Sequence, residues 1–257
     1  MTLLVSKMLQ VDNLTKRFGG FTAVDSVDFT LEKGEILGLI GPNGSGKSTI
    51  FNMLAGSLRP SAGSILLDGV EIAGLPAHEI CVMGVGRTFQ IPRPIRRLTI
   101  LENAALAGFY GQAGAVTRAQ AWRNAEEALD LVGLPKNESA SVDTLGAAGL
   151  KKLELAKALA TKPSLLLADE SLGGLDHGEM DQAADMLKDV RDELGITIIW
   201  VEHIMGVLMR VVDRVMVLNH GEKMTEGLPH DVVNDPKVIE VYLGRDAEEA
   251  AAASSRV

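Results

Sequence analysis

The chain has 257 residues, 46% apolar and 23% charged, with a formal net charge of −9. That length suits one α/β domain, or one domain with an inserted lobe, and it can bury a sizeable core without staples. The acidic balance leaves no electrostatic footprint for nucleic acid, which is therefore not an expected partner, and the single cysteine, Cys81, excludes an internal disulfide framework and fits a reducing cytosol.

The first ten residues carry one lysine and a few apolar side chains, without the design of a signal peptide. Residues 9–14 and 27–31 read as strands. Residues 34–40, Gly-Glu-Ile-Leu-Gly-Leu-Ile, form a short apolar run that ends in a Gly-rich loop, the pattern of a buried strand. Residues 64–68 and 70–72 join through an Asp-Gly turn, and 85–89 is another short strand. From 99 to 134 the pattern turns helical, with Gly111 to Gly114 breaking it into two helices. Residues 91 to about 162 are expected to form a mostly helical lobe inserted into the sheet domain.

The sheet resumes at 164–168, 196–201 and 214–218, with helices at about 178–193 and 204–211. Alternation of this kind implies right-handed crossovers and a parallel core sheet. The fold class expected is α/β, with an antiparallel β patch at the N-terminus. Residues 1–244 are expected to be one domain with two lobes. The tail, 245–257, is mostly Ala, Glu and Ser with no apolar stripe, and is expected to be a frayed helix or disordered. No stretch approaches the roughly 18 apolar residues needed to span a bilayer, so service to a membrane would run through a partner.

Gly41-Pro42-Asn43-Gly44-Ser45-Gly46-Lys47-Ser48-Thr49 matches G-x-x-x-x-G-K-[ST] between a strand and a helix. Glycines let the backbone wrap so that successive N–H groups point at phosphate oxygens. Lys47 adds a positive charge near the β and γ phosphates, and Ser48 offers its hydroxyl to Mg²⁺. The helix starting near Lys47 aims its positive end at the same anion. These residues predict a P-loop NTPase core that takes ATP with Mg²⁺.

Residues 165–170, Leu-Leu-Leu-Ala-Asp-Glu, are an apolar strand ending in two acids. Asp169 is the expected Mg²⁺ ligand opposite Ser48, and Glu170 is placed to orient the attacking water or take its proton. Gln90 follows the strand at 85–89 and His203 the strand at 196–201. A lone Gln or His at a strand end usually bonds locally. Here the P-loop, Gln90, the acid pair and His203 all follow the C-terminal ends of strands, the edge where open α/β sheets bind ligands.

In that order the residues resemble the ABC ATPases, over residues 8 to 244. The resemblance implies that Phe18 stacks on adenine, a use of its π-face. It implies that Gln90 touches Mg²⁺ and water while coupling to a membrane subunit, and that His203 senses the γ-phosphate. Leu175-Asp176 would be the D-loop and Leu145-Gly146-Ala147-Ala148-Gly149 the signature segment. Two such chains, or this chain and a paralogue, would face head to tail, with each ATP between one P-loop and the opposite signature. Within the family, residues 17–20, 86–90, 98–103 and 235–244 resemble the ATPases of branched-chain amino-acid importers. ATPases that serve urea, amides or aromatic acids look similar. This sub-type implies membrane-spanning permease subunits, a second ATPase subunit, an external solute-binding protein, and a peripheral place on the cytoplasmic side of the cell membrane.

The signature departs from the family pattern, Leu-Ser-Gly-Gly-Gln. Gly146 lacks the hydroxyl that would reach the opposite γ-phosphate, and Ala148 puts a methyl where backbone N–H groups need close approach. Ser171 stands where the family has Pro. A regulatory nucleotide-binding subunit with little turnover, or an exporter ATPase, are the alternatives to an importer.

Overall fold

The computed structural model describes residues 6–169, 176–202 and 204–241. The expectations for Glu170, Ser171, Leu175, His203 and the tail 245–257 lie outside the described residues.

Strands β1 (Lys7–Phe18) and β2 (Phe21–Glu32) form an antiparallel hairpin closed by Gly19 and Gly20. Strand β3 (Ile36–Ile40) is buried at every residue and feeds helix α1 (Lys47–Leu54) through the 41–46 loop. Strands β4 (Ala62–Leu67) and β5 (Val70–Glu71) complete a four-stranded sheet in the order β2-β1-β4-β5. Their Asp68-Gly69 turn has positive φ at both residues, the conformation that suits tight hairpins.

Helix α2 (Ala77–Val82) leads to β6 (Val85–Arg87), after which the chain leaves the sheet. It returns at β7 (Leu165–Asp169) after three helices: α3 (Ile100–Tyr110), α4 (Arg118–Leu131) and α5 (Ala147–Ala160). These three pack on one another. Helix α6 (His177–Leu194), β8 (Thr197–Val201), α7 (Met205–Leu208), β9 (Arg214–Asn219), β10 (Glu222–Gly227) and α8 (Pro229–Val233) follow. The second sheet runs β10-β9-β3-β8-β7-β6, parallel from β9 to β6 with β10 antiparallel at the edge.

The continuous apolar strands of this sheet are explained by cover on both faces. Ile36, Ile40, Leu166, Ala168, Ile198 and Trp200 point into a core shared with α3–α6. Their alternates Leu37, Leu39, Leu165, Leu167, Ile199 and Val201 point into a second core shared with α1 and the antiparallel sheet. Arg214 ties these layers together: it donates to the Thr30 carbonyl of β2 and pairs with Glu35 and with Glu226 of β10.

Several short elements were not expected. Helix α2 is six residues long after Pro76, and α8 is five residues with Pro229 at its start. Both are too short for a helical period to register. Strand β10, Glu-Lys-Met-Thr-Glu-Gly, lacks apolar alternation, since its pairing depends on β9 and on Arg214. The helix expected at 204–211 is only four residues long, with no side-chain cap at Ile204.

Residues 91–99 are not helical, and two buried side chains hold them. The Asn103 side-chain amide donates to the carbonyls of Ile95, Leu98 and Thr99, and its oxygen accepts the Ile95 N–H at 2.8 Å. Glu154 of α5 accepts the Arg93 N–H at 2.7 Å. Asn103→Ala is expected to lower unfolding free energy by about 1–3 kcal/mol, because a buried N–H and carbonyls lose their partners. Urea unfolding followed by far-UV circular dichroism measures this.

Candidate nucleotide-binding site

The parallel register brings the ends of several strands to one edge. Leu39 of β3 lies beside Val201 of β8, which lies beside Asp169 of β7. The 41–46 loop, Asp169 and Glu202 therefore leave the sheet side by side.

The loop is packed as closely as backbone allows. A Cβ at Gly41, where φ is +149°, would sit 2.2 Å from the Leu218 carbonyl oxygen. At Gly46, with φ +106°, it would sit 2.8 Å from the Ala23 carbonyl. No other residue type fits either place. Gly221, in the β9–β10 turn, donates to the Ser45 carbonyl and accepts the Asp25 N–H, so β2 and the β9–β10 turn brace the loop from outside.

Several features of the loop fit an anion. Helix α1 starts at Gly46 with no side-chain cap and no acid in its first turn, leaving its N–H groups to a ligand. The Ser45 hydroxyl is buried without a hydrogen-bond partner. The Lys47 ammonium is buried and donates to the carbonyls of Gly41 and Pro42 at 2.7 and 3.0 Å, folded back along the loop it would serve. Phe18 and Phe21, 49% and 64% exposed, line the same pocket as Asn43, Gly44 and Lys47–Thr49. Lys16 lies 5.0 Å from the Phe18 ring centre. The pocket therefore offers phosphate donors at one end and aromatic faces at the other, the chemistry that a nucleoside triphosphate needs.

Asp169 ends β7, buried, with its backbone N–H on the Thr88 hydroxyl. Its carboxylate accepts from Arg87 at 3.0 Å, and the same guanidinium donates to Asn52 of α1 at 2.7 Å. Gln90 stands exposed three residues beyond Arg87, where the chain departs for α3–α5. Of the residues expected to form the signature, Leu145 precedes α5, Gly146 is its N-cap without a side-chain bond, and residues 147–149 form its first turn. They do not line the Phe18–Lys47 pocket. Ala148 is half-buried, packs against the core and lines a cleft between α5 and α6 with Phe89, Leu155 and Met186. Gly149 has a structural reason of its own, since a Cβ there would lie 3.0 Å from Leu145. Asp176 caps α6, accepting the Glu179 N–H at 2.8 Å, with Glu179 returning the bond.

A family model for ABC transporter matches residues 24–173. The chain belongs to the ABC transporter family. As a member it is an ATP-binding cassette that hydrolyses ATP. A second model, for branched-chain amino acid ATP-binding cassette transporter, matches residues 222–248. The chain is 36% identical to the high-affinity branched-chain amino acid transport ATP-binding protein BraF of Pseudomonas aeruginosa, covering 92% of this chain and 98% of BraF. It is equally close to LivG of Escherichia coli K12, with the same coverage, and 34% identical to a probable LivG of Archaeoglobus fulgidus, covering 95% and 98%. Among solved structures, the ADP conformation of the ABC transporter cassette MJ1267 superposes with a TM-score of 0.83 at 28% identity, covering 93% of this chain and 99% of that one. The dimeric, ADP- and Pi-bound cassette MJ0796 gives 0.77 at 27%, covering 86% and 99%.

Sequence reasoning missed several residues of this cassette. Arg87 and Asn52 hold Asp169, Phe21 joins Phe18 at the pocket, and Glu202 is buried directly before His203. None lies in the P-loop or acid-pair motif, although Arg87 stands inside the 86–90 segment quoted for the sub-type. Lys47→Ala is expected to weaken MgATP binding at least about ten-fold, because it removes the side-chain cation of the P-loop. Calorimetric titration with unchanged affinity would sink the P-loop assignment.

Proposed function

We propose that this cassette is the ATP-hydrolysing subunit of a branched-chain amino-acid importer, peripheral on the cytoplasmic side of the membrane. The observation that carries the cargo class is the match at 222–248, a segment outside the ATPase match, together with full-length similarity to BraF and LivG. Its partners would be membrane-spanning permease subunits, a second ATPase chain and an external solute-binding protein. Among the described residues no helix is long and apolar enough to cross a membrane.

In this reading the loop N–H groups and Lys47 hold the β and γ phosphates, and Phe18 with Phe21 holds the base. Ser48, Asp169 and Gln90 would hold Mg²⁺, which would draw charge from the γ-phosphate. Glu170 accepts a proton as water attacks, and His203 contacts the γ-phosphate. Roles for Glu170, His203 and the D-loop Asp176 rest on family resemblance.

The permease contact is supported by an apolar surface. Phe89, Ile91 and Ile95 along the segment after β6, and Leu106, Phe109 and Tyr110 at the end of α3, are all exposed, Ile91 and Tyr110 above 70%. Exposed apolar residues of this kind fit a protein partner. Burial pushes the half-buried Cys81 thiol above its usual pKa, which suppresses its thiolate near neutral pH. Cysteines introduced at Ile91 or Tyr110 therefore report selectively. They are expected to crosslink to a permease subunit in membranes, and Glu170→Gln to keep ATP binding while slowing single-turnover hydrolysis. Crosslinks that never reach a membrane protein would defeat the transporter reading, and parent-rate hydrolysis would defeat the role of Glu170.

The signature favours unequal sites. Gly146 offers no hydroxyl to a facing nucleotide, so a partner ATPase with an intact signature would complete the site on this chain while the mirror site is slow. A single lost bond to a charged group, about 1.5–3 kcal/mol, corresponds to about ten- to a hundred-fold in rate. Gly146→Ser is expected to raise turnover at the partner's P-loop by a similar factor. Gly146 has φ −73° and ψ −174°, and open space for a Cβ. The double change Gly146→Ser with Ala148→Gly is expected to raise that turnover as well, since Ala148 puts a methyl where a facing nucleotide needs close backbone approach. Equal turnover in the parent complex, measured with one P-loop Lys disabled at a time, would defeat the asymmetry.

A further inference from the structure

We propose that Arg87 is a stand-in cation for Asp169: it neutralises the carboxylate until a divalent ion arrives with nucleotide, and so keeps the metal from binding to the empty cassette. This rests on the reading of Asp169 as a Mg²⁺ ligand.

Both partners are buried, with side-chain exposures of 12% and 8%. A carboxylate in such a place needs a countercharge. Arg87 supplies one, yet makes less of the contact than its fork allows. One terminal nitrogen donates to Asp169 at 3.0 Å and the other is spent on Asn52 at 2.7 Å, while Nε is buried without a hydrogen-bond partner. A guanidinium built only to anchor Asp169 would meet it with two parallel bonds. The geometry instead suspends Arg87 between α1 and β7, with its positive charge beside the Asp169 carboxylate. Two cations at one carboxylate repel, so the ion must be strong enough to displace the arginine. Free Mg²⁺ is reluctant to shed water, and only the triphosphate supplies the remaining ligands and negative charge.

The arrangement also links the metal position to the outgoing segment. Arg87 ends β6, and the Phe89 ring lies 5.3 Å from its guanidinium and 5.2 Å from that of Arg93. Release of Arg87 from Asp169 therefore alters the packing of Phe89, next to Gln90.

The test is Mn²⁺ binding to the purified chain, read by electron paramagnetic resonance without nucleotide. Arg87→Gln is expected to bind Mn²⁺ at least about ten-fold more tightly than the parent, because a unit charge a few ångströms away is removed. Arg87→Lys, which keeps the charge, should stay within about two-fold of the parent, and Asp169→Asn in the Arg87→Gln background should cancel the gain. Equal or weaker affinity in Arg87→Gln overturns the proposal, as does Arg87→Lys behaving like Arg87→Gln. Should Arg87→Gln fold only when Mn²⁺ is present, the metal has replaced the missing charge, as expected. Failure to fold even with Mn²⁺ overturns it. The underlying reading is tested separately with ATP present: if Asp169→Asn leaves Mn²⁺ affinity unchanged there, Asp169 is not a metal ligand. If it weakens binding while Arg87→Gln has no effect, Arg87 alone was misread.

Discussion

The contact between the 41–46 loop and its surroundings is the constraint on which the rest of the molecule depends. Only glycine can bring backbone so close to the carbonyls of Leu218 and Ala23. That closeness joins three separate parts of the chain: β3 and its loop, the β9–β10 turn at Gly221, and β2 of the antiparallel sheet. Because β2 is held there, the hairpin end that carries Phe18 and Phe21 reaches the rim of the phosphate pocket. The packing that shapes the loop thus also places the aromatic faces.

The other side of the site is governed by burial of charge. Asp169, Arg87 and Lys47 are all largely withdrawn from water, and each makes at least one polar contact with a protein partner. Such groups hold their positions firmly, since leaving them unpaired is costly.

The three-helix lobe is joined to the sheet by a non-helical segment whose backbone is held by Asn103 and Glu154. Lys157 adds a bond to the Arg93 carbonyl while pairing with Glu154. The segment after Gln90 and helix α5 are therefore fastened together by side chains from within the lobe. The exposed apolar residues of the segment and of α3 lie on the same lobe.

The phosphate loop, the acid strand and the alternation of strands and helices were legible in the sequence, because each is local. A Gly-rich run after an apolar strand, or apolar runs at 36–40 and 165–168, state their structure within a few residues. The strand order β10-β9-β3-β8-β7-β6 and the docking of the antiparallel sheet were not legible, since they depend on residues far apart. Arg87 illustrates the difference: its neighbours in sequence suggest only a strand end, while its partners are Asn52 and Asp169. Sequence by itself determined which chemical groups the chain carries and which local turns present them. Tertiary structure decided which of those groups meet, because burial and charge compensation are satisfied only between segments that the fold brings together.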